Sequence, residues 1–343
     1  MSGLPTTTKS WQYASVAGGL ESQLQLKDVA IRKIKPNEHL IRILATSLNP
    51  VDYKVAEAPI VGGILVRKPA VPCYDIAGEI VQAASGSKLQ PGQLVFGGTG
   101  GSPFAGGGLT EYVVAPANQI IAVPKGISAV EAASIPIAGI TAYQSIKPHS
   151  KEGDRILLNG GSGGVGLFGI QIGKALGRHV TVTCSTRNIE LCKAAGADVV
   201  VDYTKGDLID NLKALGQPFD LVIDNAGSNH DLYWKCDQFT TADAKYVNVA
   251  SSPAWKDVSF MLKANAVPSF LGGQKRKLQG LFAQPIEADL QQIIDWMQEG
   301  KVKAHIDSTF SMQQAPDAFR QLKTGRSRGK VVIQVAEPKS EAN

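Results

Sequence analysis

RILLNGGSGGVGLFGIQIGKALG, Arg155 to Gly177, reads as a strand, a glycine-rich turn and a helix. Ile156, Leu157 and Leu158 are the short apolar run of a buried strand, and Gly161, Gly163 and Gly166 follow it in GxGxxG spacing. From Val165 the period turns helical. Val165, Phe168, Ile172 and Ala175 lie at i, i+3, i+7 and i+10 on one face, and Gly177 stands where a left-handed cap ends a helix. Such a turn aims free backbone N–H groups and the positive end of the helix dipole at one point, where a pyrophosphate sits without meeting a Cβ. In a chain with 36 glycines the spacing alone is a weak signal. Its place between a strand and a helix favours dinucleotide binding over a plain tight turn.

Working outward, strands and helices alternate after this turn: strand His179–Cys184, helix Asn188–Ala195 stopped by Gly196, strand Val199–Tyr203, helix Asp207–Leu215, then strands Phe219–Asn225 and Lys245–Val249. This alternation predicts βαβ units and a doubly wound parallel sheet. Upstream, Val130–Ile135 and Ala138–Ile146 read as helices. The first 125 or so residues instead show short strands broken by Pro and Gly, at Leu24–Val29, His39–Ala45, Ile76–Gln82, Gln93–Phe96 and Thr110–Val114. Gly97 to Gly108 holds seven glycines in twelve positions and reads as a loop, since no helix follows it. A tail of helix Ala288–Glu299, strand Ala304–Phe310, helix Ala315–Lys323 and strand Lys330–Val335 returns to the first domain. The expected fold is therefore α/β, with a β-rich domain at 1–127 and 273–343 and a doubly wound Rossmann domain at 128–272.

With 343 residues, two domains are the default. A hydrophobic content of 43%, 19% charged residues and a net charge of +5 spread along the chain describe a soluble globular protein and give no argument for a nucleic-acid partner. The Lys275-Arg276-Lys277 cluster reads as solvated surface or an anion contact. The four cysteines form no CxxC pair, so neither a disulfide framework nor a cysteine zinc site is suggested, and a reducing compartment fits. There is no apolar signal core and no membrane-spanning run, and a cytoplasmic location is expected.

The end of the second strand of the doubly wound domain distinguishes the nicotinamide cofactors. An NAD site places an Asp or Glu there for the ribose 2′-OH. This chain has Cys184, Ser185, Thr186 and Arg187, hydroxyls and a guanidinium that suit a 2′-phosphate and point to NADPH.

Beyond the glycine turn, Ser47-Leu48-Asn49-Pro50-Val51-Asp52, Asp75-Ile76-Ala77-Gly78-Glu79, Gly139-Ile140-Thr141-Ala142-Tyr143 and Gly329-Lys330-Val331-Val332 complete a set of short motifs from about residue 20 to 335. Together they resemble the zinc-independent quinone oxidoreductase branch of the medium-chain dehydrogenase/reductase superfamily. ATSLNPVDYK, TCSTRNIELCKAAGADVVVDY and GKVKAHIDS are especially similar to chloroplast envelope quinone oxidoreductase homologues and their fungal relatives. The resemblance implies a GroES-like catalytic domain beside the Rossmann domain, and NADPH-dependent reduction of α,β-unsaturated carbonyls or quinones by direct hydride transfer. Two other functions stay open: a trans-acting enoyl reductase of a biosynthetic pathway, and an NADPH-binding structural or sensor protein with little turnover. The partner implied is a small-molecule enone or quinone, and many relatives form homodimers through the edge of the Rossmann sheet.

Zinc-bearing relatives hold catalytic metal with a Cys before the Asp of the first motif, a His-Glu pair and a further Cys. Here the first place reads Asn49-Pro50, the pair reads Tyr74-Asp75, and no Cys or His lies between Ser134 and Tyr143. No metal site is expected. By resemblance, Asn49 and Thr141 line the nicotinamide end, and Gly161, Ser162, Gly163, Gly164 and Val165 meet the pyrophosphate. Ser185, Arg187 and Tyr203 surround the adenosine phosphate, with a core tyrosine finishing a strand as the alternative for Tyr203. Asn225 and Val249 end strands on the crevice side, and Arg326 or Lys330 closes over the phosphates. Tyr53 and Tyr74, with Asn49, are the catalytic candidates. Water is the competing proton source, and a structural carboxylate is the expected role of Asp52.

Overall fold

A computed structural model of the protein describes residues 4–100, 106–227, 229–249, 255–267 and 273–338. The chain divides into two compact units: Met1–Ala138 with Pro285–Gln298 and Ala304–Asn343, and Gly139–Gln284 with Glu299–Lys303.

In the first unit, β1 (Thr7–Gln12) and β2 (Gln25–Ala30), separated by α1 (Leu20–Gln23), form an antiparallel ribbon. Next come β3 (Glu38–Leu48), α2 (Pro50–Lys54), α3 (Val61–Leu65), β4 (Asp75–Gln82), β5 (Leu94–Gly98), β6 (Tyr112–Pro116), β7 (Ile120–Ala122) and α4 (Ala129–Ala133). Helix α5 (Pro136–Ile146) carries the chain into the second unit. There the order is β8 (Arg155–Asn159), α6 (Gly164–Ala175), β9 (His179–Cys184), α7 (Ile189–Ala194), β10 (Val199–Asp202), α8 (Leu208–Ala214), β11 (Phe219–Asp224), α9 (Asp231–Trp234), β12 (Thr240–Asn248), α10 (Trp255–Ala266) and β13 (Leu278–Gly280). The chain then supplies the first unit with α11 (Glu287–Gln298), β14 (Ile306–Ser311), α12 (Ala315–Lys323) and β15 (Lys330–Gln334).

The second unit's sheet runs β10-β9-β8-β11-β12-β13, every pair parallel. In order of appearance this is 3-2-1-4-5-6, the doubly wound order whose direction reverses between β8 and β11. Its central strands β8, β9 and β11 are buried on both faces, and Leu157, Val222, Tyr246, Phe219, Tyr233 and Phe260 share one apolar core.

The first unit's sheet runs β14-β15-β3-β4-β5-β7, with β6 also on β3. The returning tail thus closes this sheet, as expected. Antiparallel pairing sets Val331 opposite Leu48 and Val332 opposite Ser47, while Ser47 faces Asp75 on the other side. Continued by one residue, the β3–β15 register brings Lys330 to Asn49.

Several expectations change. The boundaries move from 127/128 and 272/273 to 138/139 and 284/285. Helix α4 packs on β3, β4 and β5, and β13 pairs with β12, so each stays with the sheet it completes. Gly97 and Gly98 extend β5 and do not begin a loop. A Cβ on Gly98 would meet the Tyr74 ring at 2.2 Å, so only glycine lets the ring lie there. The part of the expected loop at 101–105 lies outside the described residues. Arg276 is not solvated: it is buried, and its guanidinium donates to the carbonyl oxygens of Thr240 and Thr241. Among the described residues no helix is long and apolar enough to cross a membrane.

Candidate active site

Two clusters of candidate residues emerge, one in each unit. In the second unit, β8 ends at Asn159 and the chain turns through Gly160, at φ 85°, into α6. The three motif glycines have different surroundings. A Cβ on Gly161 would lie 2.6 Å from Val182 Cβ, and one on Gly166 2.3 Å from the Gly160 carbonyl oxygen. A Cβ on Gly163 would meet only the Gly160 oxygen, at 3.9 Å. The outer two are therefore required by packing, whereas Gly163 leaves open space at the N-cap of a twelve-residue helix whose first N–H groups lack intrahelical acceptors. This cradle has the room and the donors for a pyrophosphate, which the N–H groups of Gly163, Gly164 and Val165 would hold. Ser162 is tied down by Asn188 Nδ2, which donates to its Oγ over 2.8 Å.

The floor of the turn is a polar network that sequence reading missed. Asn159 Nδ2 donates to Asp224 Oδ1 (2.7 Å), and Thr183 Oγ1 donates to Asn159 Oδ1 (2.6 Å). Gly160 N–H donates to Thr183 Oγ1, and the N–H groups of Ala226 and Gly227 donate to Asp224 Oδ1. Tyr246 O–H completes the set at Asp224 Oδ2 (3.1 Å), with burial and the carboxylate raising its phenol well above the usual range. Asn225 and Val249 lie at this same carboxyl edge: Asn225 N–H donates to the Asn159 carbonyl and Val249 N–H to that of Asp224. Asn225 Oδ1 is buried with no partner among the described residues, an unused acceptor beside the turn. Polar residues closing apolar strands, Asn159 and Asp224, were the available signal.

At the end of β9, Ser185 is half-buried and Arg187 exposed on the turn that follows. Tyr203 N–H donates to the Cys184 carbonyl, and its ring is 51% exposed, so it is no core tyrosine. These three share one edge. Asp202, at the end of β10, is an acid opposite Cys184 at the end of β9. Its carboxylate accepts from the hydroxyls of Thr186 and Thr204, which hold it below the usual carboxylate range. Thr141 is buried on α5.

In the first unit, Asn49 caps α2, and its main-chain N–H donates to Asp52 Oδ2 (2.7 Å). Burial pushes the Asp52 carboxyl up to about 8; that N–H opposes the rise and the Asp75 charge adds to it. Asp52 is thus a structural carboxyl, as expected. Asp75 is fully buried and accepts from Ser47 Oγ, Asn49 Nδ2 and Ile137 N–H. Lys330 Nζ lies 3.5 Å from Asp75 Oδ2 and donates to Asn49 Oδ1 (2.5 Å) and the Leu48 carbonyl (3.0 Å). Burial pushes the Asp75 carboxyl up and the Lys330 ammonium down, and each charge restrains the shift of the other.

The expected roles of Lys330 and Tyr74 change here. Lys330 does not close over phosphates, because its register opposite Asn49 buries its ammonium among these partners. Tyr74 O–H is donated to Gln119 Oε1 (2.7 Å), and its ring is buried. Tyr53 is half-buried with its ring 5.2 Å beneath Lys323 Nζ, on the side where Lys323 pairs with Glu21 and Glu57. The Tyr74 hydroxyl is thereby committed to Gln119. Arg326 is exposed on the turn between α12 and β15.

The residues at the place of a catalytic zinc do not fit that metal. Asn49 and Tyr74 offer an amide and a committed phenol, and a buried ammonium already neutralises Asp75. Among the described residues no three His, Cys, Asp or Glu side chains form a metal-binding group.

Comparison with known proteins agrees with this architecture. Residues 35–125 match the alcohol dehydrogenase GroES-like domain, and residues 195–333 match the family described as zinc-binding dehydrogenase. The chain is 42% identical to the trans-enoyl reductase pgmF of Aspergillus terreus over 98% of each protein. It is 32% identical to the chloroplast envelope quinone oxidoreductase homolog of Arabidopsis thaliana, covering 94% of this chain and 97% of the relative. The solved structure of the quinone oxidoreductase from Coxiella burnetii superposes with a TM-score of 0.83 at 31% identity, over 96% of this chain and 99% of that one.

Proposed function

The chain belongs to the medium-chain dehydrogenase/reductase superfamily and is an oxidoreductase using a nicotinamide cofactor; from that premise we propose that it reduces the C=C bond of α,β-unsaturated carbonyl compounds, or quinones, with NADPH. The observation that carries the cofactor choice is the end of β9, where Ser185 and Arg187 stand beside exposed Tyr203 and the neighbouring acid, Asp202 on β10, is taken up by the hydroxyls of Thr186 and Thr204. A 2′-phosphate finds hydroxyls and a guanidinium there.

The cofactor supplies a hydride when bound. An enone or quinone is already polarised, so the chain has to bind, orient and exclude water, with a hydrogen-bond donor for the carbonyl oxygen. The proton that completes the reduction comes from solvent, consistent with the commitment of the Tyr74 hydroxyl to Gln119. Zinc has no step in this reading.

The substrate class follows the relatives. A quinone oxidoreductase and a trans-enoyl reductase share an acceptor carbon activated by a conjugated carbonyl. The 42% identity with the latter favours a second reading, a trans-acting enoyl reductase of a biosynthetic pathway. Purified protein is given NADPH or NADH with a short enone, a long-chain unsaturated ketone, a quinone and a carrier-linked enoyl thioester. The proposal expects NADPH oxidation with at least one of them. Turnover of the carrier-linked substrate far above the free enones selects the second reading, and no oxidation of NADPH with any member overturns both.

A further inference from the structure

We propose that the surface of the first unit around α3 is a docking site for an anionic lipid bilayer, with Ile60, Ile64 and Leu65 entering the acyl boundary and Arg67 and Lys68 meeting the headgroups. Docking of this kind does not depend on which substrate the protein reduces.

From Ala58 to Val66 the chain reads APIVGGILV, nine residues without a polar side chain. One face of α3 is accounted for by the core, since Val66 is buried and Val61 packs against the cluster that holds Val55 and Ala56. Gly62 lets the helix lie directly on the preceding chain: a Cβ there would meet the carbonyl oxygens of Ala56 and Val55 at 2.5 and 2.6 Å. The opposite face is apolar too. Ile60 and Ile64, one turn apart and joined by the Ile64 N–H donated to the Ile60 carbonyl, are 75% and 76% exposed. Among the described residues no other large apolar side chain is as exposed as these two. Pro59 and Leu65, next to them in the chain, are exposed as well. Single apolar residues on a surface are ordinary, but a helix apolar on every face belongs in a core or against lipid.

The charge beside this tip indicates which. Arg67 is exposed and Lys68 half-buried, and neither has an ion-pair partner among the described residues. The acid of the same segment, Glu57, is already taken by Lys323 and by the Leu20 N–H. The result is an apolar tip with an unneutralised positive rim. Acyl chains beneath negative headgroups complement both parts at once. A stable protein interface covers about 800 Å² on each partner, more than three large side chains and a proline supply. A small molecule is held in a concavity that buries most of its surface, and side chains three-quarters exposed line no such wall. Nine apolar residues also fall well short of the about 20 that cross a bilayer, so the segment lies in the interface. With so few anchors the binding is weak, reversible and sensitive to salt.

The test sediments the full chain with vesicles of phosphatidylcholine alone or of phosphatidylcholine with phosphatidylserine, at low and high salt. Wild type is compared with Ile60→Ser/Ile64→Ser and with Arg67→Gln/Lys68→Gln. All four positions lie outside the core, so unfolding midpoints are expected to equal wild type, and each variant is used once that is confirmed. Wild type should bind the mixed vesicles at low salt and lose about tenfold or more of that binding on phosphatidylcholine alone or at high salt. Each double variant should lose about tenfold or more on the mixed vesicles. Insertion itself is read with Ile64→Trp, whose added fluorescence should be quenched by lipids with brominated acyl chains. Failure of wild type to bind the mixed vesicles overturns the inference, as does binding that the Ile60→Ser/Ile64→Ser variant retains in full. Self-association of wild type without vesicle binding, abolished by the same variant, would assign the tip to a second copy of this chain and overturn it equally.

Discussion

Asn159 Nδ2 donates to Asp224 Oδ1 over 2.7 Å and so joins the ends of β8 and β11, the two strands between which the sheet reverses its order. The bond sits directly beneath the glycine turn. Asp224 also takes the N–H groups of Ala226 and Gly227 and the hydroxyl of Tyr246, so one carboxylate shapes the loops on its own strand and holds two neighbouring strands.

Replacing Asp224 with Ala leaves these donors without their acceptor in a buried place. Asp224→Ala is expected to cost roughly 2–4 kcal/mol, and Tyr246→Phe about 1 kcal/mol. Urea denaturation measures both, and equal losses would show that the carboxylate is not the centre of the network.

The motif glycines should separate folding from binding. Gly161→Ala and Gly166→Ala each force a contact under 3 Å, and a lowered unfolding midpoint is expected from a cost of about 1–3 kcal/mol. Gly163→Ala meets nothing closer than 3.9 Å and has φ −80°, so its midpoint should equal wild type. Its NADPH affinity should fall about tenfold or more, since the methyl group enters the space kept for phosphate. A normal affinity for Gly163→Ala would place the phosphates elsewhere.

Arg187→Ala tests the cofactor choice. Loss of a charge-assisted contact to a 2′-phosphate is worth about 1.5–3 kcal/mol. The preference for NADPH over NADH is therefore expected to drop roughly 10–100-fold, read as the ratio of kcat/KM for the two cofactors. An unchanged ratio refutes the role given to Arg187.

The pH dependence of stability should carry the signature of Asp52. Burial raises its carboxyl from 3.8 to about 8 in the folded protein, so the folded state binds the extra proton between those values. Its favourable contribution is complete below the unfolded value and is lost as pH rises through the folded one. Asp75, Lys330 and Cys73 sit around it, and comparison with Asp52→Asn at fixed surroundings isolates its part. Denaturation at pH 5 and pH 8 should show wild type losing stability relative to Asp52→Asn as pH rises. The opposite slope would mean that Asp52 is ionised throughout.

Much of the fold was legible because local periodicity carries it. His179–Cys184 and Ala315–Lys323 are seen at their expected bounds, and Gly177 and Gly196 end their helices with positive φ. Short elements without a period of their own, such as β7, α9 and β13, were not seen, because their form comes from the neighbours they pack on. The phosphate cradle was legible for a related reason: its chemistry lies within one continuous turn of chain.

The first unit's polar cluster was legible only as separate letters. Asn49, Asp75 and Lys330 each appear in a recognisable motif, yet Lys330 reads there as a phosphate contact. By itself the sequence determined two domains, the doubly wound sheet and the place of its glycine turn, since these follow from composition and short-range pattern. Only the tertiary structure decided that Lys330 and Asp75 hold the amide of Asn49. That arrangement depends on the register of β15 against β3 and of β3 against β4, which is set by packing between residues 281 positions apart in the chain.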